Sequence, residues 1–409
     1  MSAGDRRVLI SGAGIAGLVT AYWLKRHGFN PTVVERAPEL RAGGHAVDLW
    51  GSAVDVIERM GLLSAVETAR TLNDTGITIV PGREPLKMSL ADLAVRIADR
   101  HAEVMRGTLV KLLYERTRDE VECLFGDSIR AIEMRTDGVR ASFERAPTQT
   151  FDLIVGADGQ HSTVRRLVFG EESHFSRYLG AYIAGCSLPN DWVPSGHLAR
   201  YVAPAKTVTL APIRQSGELA VGFLFRRPTE LRIEHDDIER QQQLLRDVFA
   251  GEGWHVPSLL AQLPKAHDFY FTPVSQIRMQ RYSSNRVVLV GDAGYCPAPA
   301  VGGGTTLAVI AAYILSGEMA RAGGDYAAAL QSYEREIASA VEASRHVGPS
   351  LIRALVPRRS IEISLGMHIA SFVRGLPPCV RRCVPLIPRR ALRGLREVAS
   401  LRLRDYERT

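Results

Sequence analysis

Three glycines near the start of the chain restrict its fold more than any other feature of the sequence. Gly12, Gly14 and Gly17 follow the short apolar run Arg7–Ser11 and open a helical pattern reaching about His27, where Gly28 stops it. Pro31–Glu35 then reads as a second strand, so a strand–turn–helix–strand unit closes within the first 35 residues. In such a unit the glycines permit a tight turn, close approach of backbone to a pyrophosphate, and tight helix–strand packing. The helix N-terminus adds oriented N–H groups and a partial positive charge. Glu35, eighteen residues after Gly17, can accept hydrogen bonds from a ribose hydroxyl and repels a 2′-phosphate. The bound dinucleotide is therefore expected to be NAD or FAD. No second Gly-x-Gly-x-x-Gly follows, which argues against a two-Rossmann reductase plan.

The apolar run at 8–24 is long enough to suggest a signal peptide or membrane anchor, but its glycines and the continuation Lys25-Arg26-His27-Gly28 fit a buried helix better. With 46% hydrophobic and 23% charged residues, the 409-residue chain has globular composition. It reads as soluble and cytoplasmic, without stable membrane insertion. Five scattered cysteines make no disulfide framework and fit reduced thiols. The net charge of +7 is concentrated at one end. Residues 351–409 hold thirteen arginines and four acids, a local charge of +9, which leaves 7 − 9 = −2 for the rest. A general nucleic-acid binder is excluded on that distribution.

The fold class expected is α/β: a Rossmann-like dinucleotide domain, an inserted β-rich substrate domain, and C-terminal helices. The dinucleotide-binding parts are assigned to 1–72, 96–177 and 276–340. Strands at 73–95 and the alternating block at 178–275 are assigned to the substrate domain, and 341–409 to a helical segment. Helices are expected at Ser52–Met60, at about Asp92–Tyr114 (with an interruption near 98–104), at Asp237–Phe249 and at Thr306–Ala322. In the C-terminal segment Ile361, Leu365, Ile369 and Phe372, then Leu392, Leu395, Val398 and Leu401, recur at three- or four-residue spacing. That pattern needs a surface to cover, and the interdomain groove is the expected one.

Two further loops carry chemistry. Gly156-Ala-Asp158-Gly159 leads to Ser162 and Arg165 after a buried strand. Gly291-Asp292 leads through Tyr295, Cys296, Pro297 and Pro299 to Gly302, Gly303, Gly304, Thr305 and Thr306, between a strand and a helix. An Asp directly after a strand suits a polyol hydroxyl, and a Gly-rich helix start suits carbonyl oxygens or the negative charge of a reduced flavin. Together with the N-terminal glycines, these segments resemble the three signatures of the group A flavoprotein monooxygenases, the aromatic-hydroxylase-like family, over residues 1 to about 340. The likeness is nearest to the tetracycline-inactivating branch, through Gly43-Gly44-His45-Ala-Val-Asp48-Leu-Trp50-Gly51 and the helix at 104–112.

The resemblance implies non-covalent FAD, with NADPH or NADH and O2 as transient co-substrates and oxygen transfer through a flavin C4a-hydroperoxide to a small electron-rich substrate, aromatic or polyketide-like. It implies that Gly12, Gly14, Ala16 and Gly17 of the N-terminal glycine motif bind the cofactor, and that Glu35 and Arg36 hold its ribose and adenine end. Arg106 would approach the flavin or its ribityl chain, and Asp292 the ribityl and pyrophosphate region. Asp158 belongs to a segment supporting FAD and NADPH. Pro299 and Gly302–Thr306 would cover the flavin pyrimidine edge. Two departures stand out: Tyr295 occupies a position where the family often has His, and Asn is missing near Thr306. No side-chain nucleophile or acid–base dyad is demanded, and no metal site is expected. The protein is expected to be a monomer or homodimer.

Several residues admit both a functional and a packing use. His45 and Asp48 meet the substrate or merely hold their loop. Tyr201, Phe223, Phe225 and Trp192 could line an aromatic substrate pocket, although strand alternation must turn some of them into core. Cys296 reads as a packing residue, and Cys379 and Cys383 as buried structure rather than a redox pair. The competing classes are an NAD-linked dehydrogenase and a flavoprotein-like scaffold that binds a ligand or templates a cyclisation. Flavin-dependent halogenases share the fold, but their Trp-x-Trp-x-Ile-Pro segment is absent.

Overall fold

A computed structural model describes residues 6–40, 43–231, 233–234, 236–299, 302–376 and 387–406. The chain begins with β1 (Arg7–Ser11), α1 (Ile15–Arg26) and β2 (Asn30–Glu35), the unit read from the glycines. It continues through β3 (Ala46–Trp50), α2 (Ser52–Arg59), α3 (Leu63–Thr68), β4 (Thr75–Ile79), β5 (Leu86–Ser89), α4 (Ala91–Ala94), β6 (His101–Met105) and α5 (Arg106–Thr117). The expected long helix at Asp92–Tyr114 is thus corrected. Its first turn is α4, its middle is a strand, and only its last part is helical. His101–Met105 extends because it pairs antiparallel with β3, Asp48 opposite Glu103 and Trp50 opposite His101.

Next come β7 (Glu122–Phe125), β8 (Ile129–Met134), β9 (Val139–Phe143), β10 (Gln149–Phe151), β11 (Leu153–Gly156) and α6 (Thr163–Phe169). The β-rich block holds β12 (Ser176–Pro189), β13 (His197–Ala203), β14 (Lys206–Ile213), β15 (Glu218–Arg226), α7 (Ile238–Val248), α8 (Val256–Gln262) and β16 (Tyr270–Ile277). The chain returns through β17 (Ser283–Ser284), β18 (Val287–Leu289), α9 (Asp292–Tyr295), α10 (Gly304–Arg321), α11 (Tyr326–Leu355), α12 (Ser360–Gly375) and α13 (Arg389–Ala399).

Two large sheets organise these elements. The first has the order β17-β18-β11-β1-β2-β7 and is parallel except for β17. Its central strands are nearly continuous apolar runs, as a sheet covered on both faces requires. The loops after β1, β11 and β18 leave the same carboxyl edge, which is where ligands bind in open α/β sheets. The second sheet has the order β16-β12-β15-β14-β13-β4-β5, so strands from 75–89 join the block at 176–277. One face is sealed by Leu245, Phe249, Val256 and Leu259, from α7, α8 and their connection. The other faces Ala298 and the end of α11.

The C-terminal segment divides into two behaviours. Leu395 and Val398 of α13 are buried and Leu392 and Leu401 half-buried, as a covering role demands. The stripe on α12 contradicts the expectation: Ile361, Leu365, Ile369 and Phe372 are 72%, 61%, 45% and 69% exposed. That helix turns a different face inward, placing Ile363 and Met367 against Val80, Leu86 and Val202. Cys379 and Cys383 lie outside the described residues. Among the described residues, no helix is long and apolar enough to cross a membrane, and no cluster of three His, Cys, Asp or Glu could hold a metal.

Candidate cofactor and substrate site

The loop after β1 is built for close approach. Gly12 has φ +104°, and a Cβ there would lie 2.6 Å from the Ala157 carbonyl oxygen. A Cβ on Gly17 would lie 1.9 Å from the carbonyl oxygen of Gly12, so α1 packs directly on the turn. Gly14, between them, faces open space with nothing within 4 Å. This is where a phosphate would reach the N-terminus of α1. The Glu35 carboxylate accepts from the Ala13 N–H on one oxygen and from the Ala37 N–H on the other, each at 2.9 Å. The carboxylate is therefore aimed by two backbone donors, with lone pairs left for a ribose. Ala16 sits inside α1, where a Cβ added at Gly291 would come within 3.1 Å of its own Cβ. Arg36 is exposed at the rim.

Gly12, Gly14, Glu35 and Arg36 line a cleft of about 940 Å³, its opening to solvent included, together with Arg106, Asp158, His161, Asp127 and Ser128. The last two were not anticipated from sequence. They sit at the turn between β7 and β8, which is tied to the end of β2 by the Asp127 N–H donating to the Glu35 carbonyl.

Asp158 ends the strand–loop after β11 and acts as a junction. It accepts from Ser162 Oγ at 2.5 Å, from the Val164 N–H at 3.1 Å and from Ser11 Oγ at 3.4 Å. Burial pushes its carboxyl up, and these hydrogen bonds pull it back. Arg165 is wholly buried and donates to the carbonyls of Ala293 and Gln160 and to Glu172 at 2.7–2.9 Å. It fastens the loop after β11 to the loop after β18.

Asp292 and His45 combine enclosure with access to water. Each residue is exposed although the surrounding fold encloses it closely enough to act on its charge. Burial raises the Asp292 carboxyl, while a hydrogen bond from Cys296 and the charge of Arg106 oppose the rise. Enclosure, then Arg106, lowers His45 to about 4, with Asp48 opposing. The His45 ring is therefore neutral at pH 7. The His45 ring lies 6.1 Å from that of Tyr270. Arg106 opens α5, its N–H donating to the His45 carbonyl.

Asp48 bonds His101 Nε2 at 2.8 Å, and its Oδ2 lies 3.6 Å from where a Cβ on Gly302 would stand. His101 stacks on Trp50 with ring centres 3.7 Å apart. His101 escaped the sequence reading because its strand was taken for a helix interruption. Thr306 is buried, donating to the Asp48 carbonyl and accepting from the Trp50 N–H, both at 3.0 Å. Its hydroxyl thus anchors α10 to β3, while Pro299, Gly302, Gly304 and Thr305 remain partly or fully exposed on the same loop. Gly303 is covered by α13, with Leu395 3.0 Å from its would-be Cβ.

Tyr201, Phe223 and Phe225 are corrected to core. They are 0–2% exposed and lie on the face of the second sheet under α7 and α8. Tyr201 donates to Glu252 and stacks on Trp254, while Phe223 meets Phe249. The physical reason is strand alternation: large aromatics took the sealed face, and their neighbours of opposite parity took the open one. Trp192 packs at the edge of the same cluster. Burial and Asp292 push the Cys296 thiol well above its ordinary value, which leaves it a packing residue. Tyr295 is buried against Tyr333, hydroxyl to hydroxyl at 2.7 Å.

The fit to FAD is good on these observations: an open glycine at a helix N-terminus, an aimed Glu35, and an exposed Asp292 close to Arg106. Comparison with known proteins agrees. The family model described as "FAD binding domain" matches residues 5–345. An uncharacterised protein of Mycobacterium tuberculosis is 41% identical over 82% of this chain and 91% of its own length. A flavin-dependent monooxygenase of Legionella longbeachae is 34% identical over 84% and 87%. The crystal structure of the tetracycline destructase Tet(51) superposes with a TM-score of 0.81 at 31% identity, covering 98% of this chain and 99% of that one.

Proposed function

The chain belongs to the FAD-binding-domain family, as an FAD-dependent monooxygenase of the aromatic-hydroxylase type, and from that premise we propose that it uses NADPH or NADH and O2 to oxygenate a small electron-rich molecule, aromatic or polyketide-like. The observation that carries the reading is the meeting of three loops at one sheet edge, with Asp292 and His45 exposed and both close to Arg106. The likeness to a tetracycline destructase supports a polycyclic substrate.

FAD, when bound, supplies hydride acceptance and oxygen activation. This chain's residues bind, orient and shield. Open Gly14 would let a pyrophosphate reach the N-terminus of α1, with Gly12, Ala16 and Gly17 packing the turn behind it, and Glu35 would take a ribose, with Arg36 at the rim. Asp292 would receive ribityl hydroxyls, and Arg106 would bring positive charge and a fixed donor geometry to the flavin side. Pro299 and Gly302–Thr306 would help hold the flavin, with Asp158 supporting the neighbouring loop. Neutral His45 and the Asp48–His101 pair border the substrate space; a carboxylate bonded to an imidazole can hold or pass a proton of a phenolic substrate. The second sheet forms the substrate domain. With one glycine fingerprint, the nicotinamide cofactor binds only in passing.

The test is oxygen-dependent NAD(P)H oxidation by purified yellow protein, screened against aromatic polyketides and tetracyclines, with product mass rising by one oxygen. A colourless protein that takes up no added FAD, or a flavoprotein that oxygenates none of them, overturns the reading.

A further inference from the structure

Helix α12 is apolar on two opposite sides. Ile363 and Met367 pack inward against Val80, Leu86 and Val202, with Ala370 partly buried beside them. Ile361, Leu365, Ile369 and Phe372 follow one another at steps of four, four and three, which at about 100° per residue keeps them within an arc of about 80°. That arc lies across the helix from the packed one, and its side chains are 45% to 72% exposed. The stripe is roughly 17 Å long at the rise of an α-helix. Other large apolar side chains exposed among the described residues, Leu72, Val95, Met134 and Ile238, are scattered along the chain, which is ordinary. A continuous stripe is not, and it calls for a cover.

The charges around this stripe are placed at its ends. From Ile363 to Val373 the sequence carries no Lys, Arg, Asp or Glu. Arg358 and Arg359 precede the helix, and Arg374 stands in its last turn, all three exposed. With Arg353, residues 351–375 hold four arginines against Glu362, a local charge of 4 − 1 = +3. The Glu362 carboxylate is already engaged, accepting from the Arg358 N–H at 2.7 Å. On the flank, Arg83 from the β4–β5 turn donates to Ser364 Oγ at 2.7 Å. At the far end Arg96 lies beside Val373 and Arg374, and its carbonyl accepts from Arg396 Nε, which brings the arginine-rich α13 to the same corner.

We propose that α12 docks the protein reversibly on an anionic membrane surface. Ile361, Leu365, Ile369 and Phe372 enter the boundary between headgroups and acyl chains, and Arg358 and Arg359 meet lipid phosphates. An uncharged stripe with cationic ends suits that boundary, since no charged side chain on the stripe has to follow it among the acyl chains. A second copy of the chain suits it less. At roughly 200 Å² per large side chain, the exposed parts of the four come to roughly 500 Å², short of the roughly 800 Å² per partner in a standard interface. Pairing two stripes would also set arginine ends against each other. The helix is already packed on β5 and β13, so docking carries no cost of ordering it. Entry is shallow, roughly 5–10 Å, and the inference stands apart from the oxygenation reading.

The experiment uses the full-length, FAD-loaded protein and co-sedimentation with two kinds of vesicle: phosphatidylglycerol with phosphatidylcholine in equal parts, and phosphatidylcholine alone. Partition onto the anionic vesicles is expected to exceed that onto the neutral ones about tenfold or more, and to fall in high salt. The double variant Leu365→Ser, Phe372→Ser should lose that binding about tenfold or more, with flavin content and circular dichroism unchanged, because both side chains are exposed. Arg358→Gln with Arg359→Gln should weaken anionic binding roughly fivefold per charge removed. No binding to either vesicle, equal binding to both, or anionic binding that survives Leu365→Ser, Phe372→Ser overturns the proposal. So does a dimer in sedimentation velocity that the same double variant dissolves, which would give the stripe to a second copy. Should the double variant not fold, Phe372→Trp decides. Its fluorescence should move to the blue on anionic vesicles by more than that of the native protein, and an equal or smaller move overturns the proposal. Turnover is not read, so failure to dock leaves oxygenation untouched.

Discussion

Arg165 Nη1 donates to the carbonyl of Ala293 at 2.9 Å, across 128 positions of sequence and from a wholly buried side chain. The same guanidinium reaches Gln160 and Glu172, so three acceptors depend on one residue. Truncation to Ala would remove this donor from the buried Ala293 carbonyl and the half-buried Gln160 carbonyl, and leave Glu172 with His161. Arg165→Ala is expected to lose about 3 kcal/mol of stability by thermal or urea denaturation, with a matching loss of bound FAD. A variant as stable as the native protein would mean that the two loops are held by other contacts.

Asp292→Ala tests the other side of the junction. The residue is exposed, and its hydrogen-bond partner in the core, the Cys296 thiol, is a weak donor. The variant should therefore stay folded by circular dichroism while binding FAD about ten- to a hundredfold more weakly, the usual value of a charged hydrogen bond of about 1.5–3 kcal/mol. Undiminished flavin content would place the ribityl chain elsewhere.

The Tyr295–Tyr333 pair predicts an asymmetry. Tyr333 donates to the Leu289 carbonyl at 3.1 Å, so Tyr295 donates to Tyr333. Tyr295→Phe removes one donor and should cost about 1 kcal/mol, whereas Tyr333→Phe strands both the Tyr295 hydroxyl and the Leu289 carbonyl and should cost about 2–3 kcal/mol. Neither should change turnover per bound flavin. A large loss of turnover in Tyr295→Phe would give the residue that replaces the family's His a chemical role.

How much of this was readable in advance depended on range. The glycine turn, Glu35 and the strand–loop edges are local: sterics and a helix N-terminus dictate them within a few residues. The β3–β6 ribbon is not local. His101–Met105 becomes a strand only because Asp48 and Trp50 lie opposite, and that contact spans about fifty residues, which hid His101. Alternation along β13 and β15 was plain, but which parity lay under α7 and α8 was not, and Tyr201, Phe223 and Phe225 fell on that covered face. On α12 the apolar residues exceed one face, so periodicity alone could not choose the inward one.

A pH prediction follows from His45. Its folded pKa, about 4, lies below the unfolded value of 6.5, through enclosure first and Arg106 second. Between these values the unfolded chain binds the proton and the folded one does not, so stability falls as pH drops from about 6.5 toward about 4. His45→Asn should flatten that part of the acid limb in urea titrations, leaving stability at pH 7.5 little changed. An unaltered limb would mean that the ring is hydrated enough to titrate normally.

Gly394 on α13 is a stringent position, since a Cβ there would lie 2.6 Å from the Ala343 carbonyl oxygen and 2.8 Å from Val347. Gly394→Leu is expected to lift the helix, costing about 1–3 kcal/mol and lowering FAD retention on gel filtration. Removing everything after Ser360 should give insoluble or flavin-poor protein. A soluble, fully yellow truncation would show that α13 is dispensable for the site.

The docking of α13 has a consequence for biosynthesis. Ser52 donates to the Ala399 carbonyl, 347 residues later in the chain, and Tyr406 lies on Gly317 and Glu318. At roughly 5–20 residues per second, the amino-terminal half of the cradle waits roughly 20–70 s on the ribosome for the wall over Gly303. Nascent chains that stall before this wall emerges would present the glycine loop bare to water, open to chaperones and proteases. Cofactor loading would in that sense come late, waiting for a helix translated long after the glycines that begin the site.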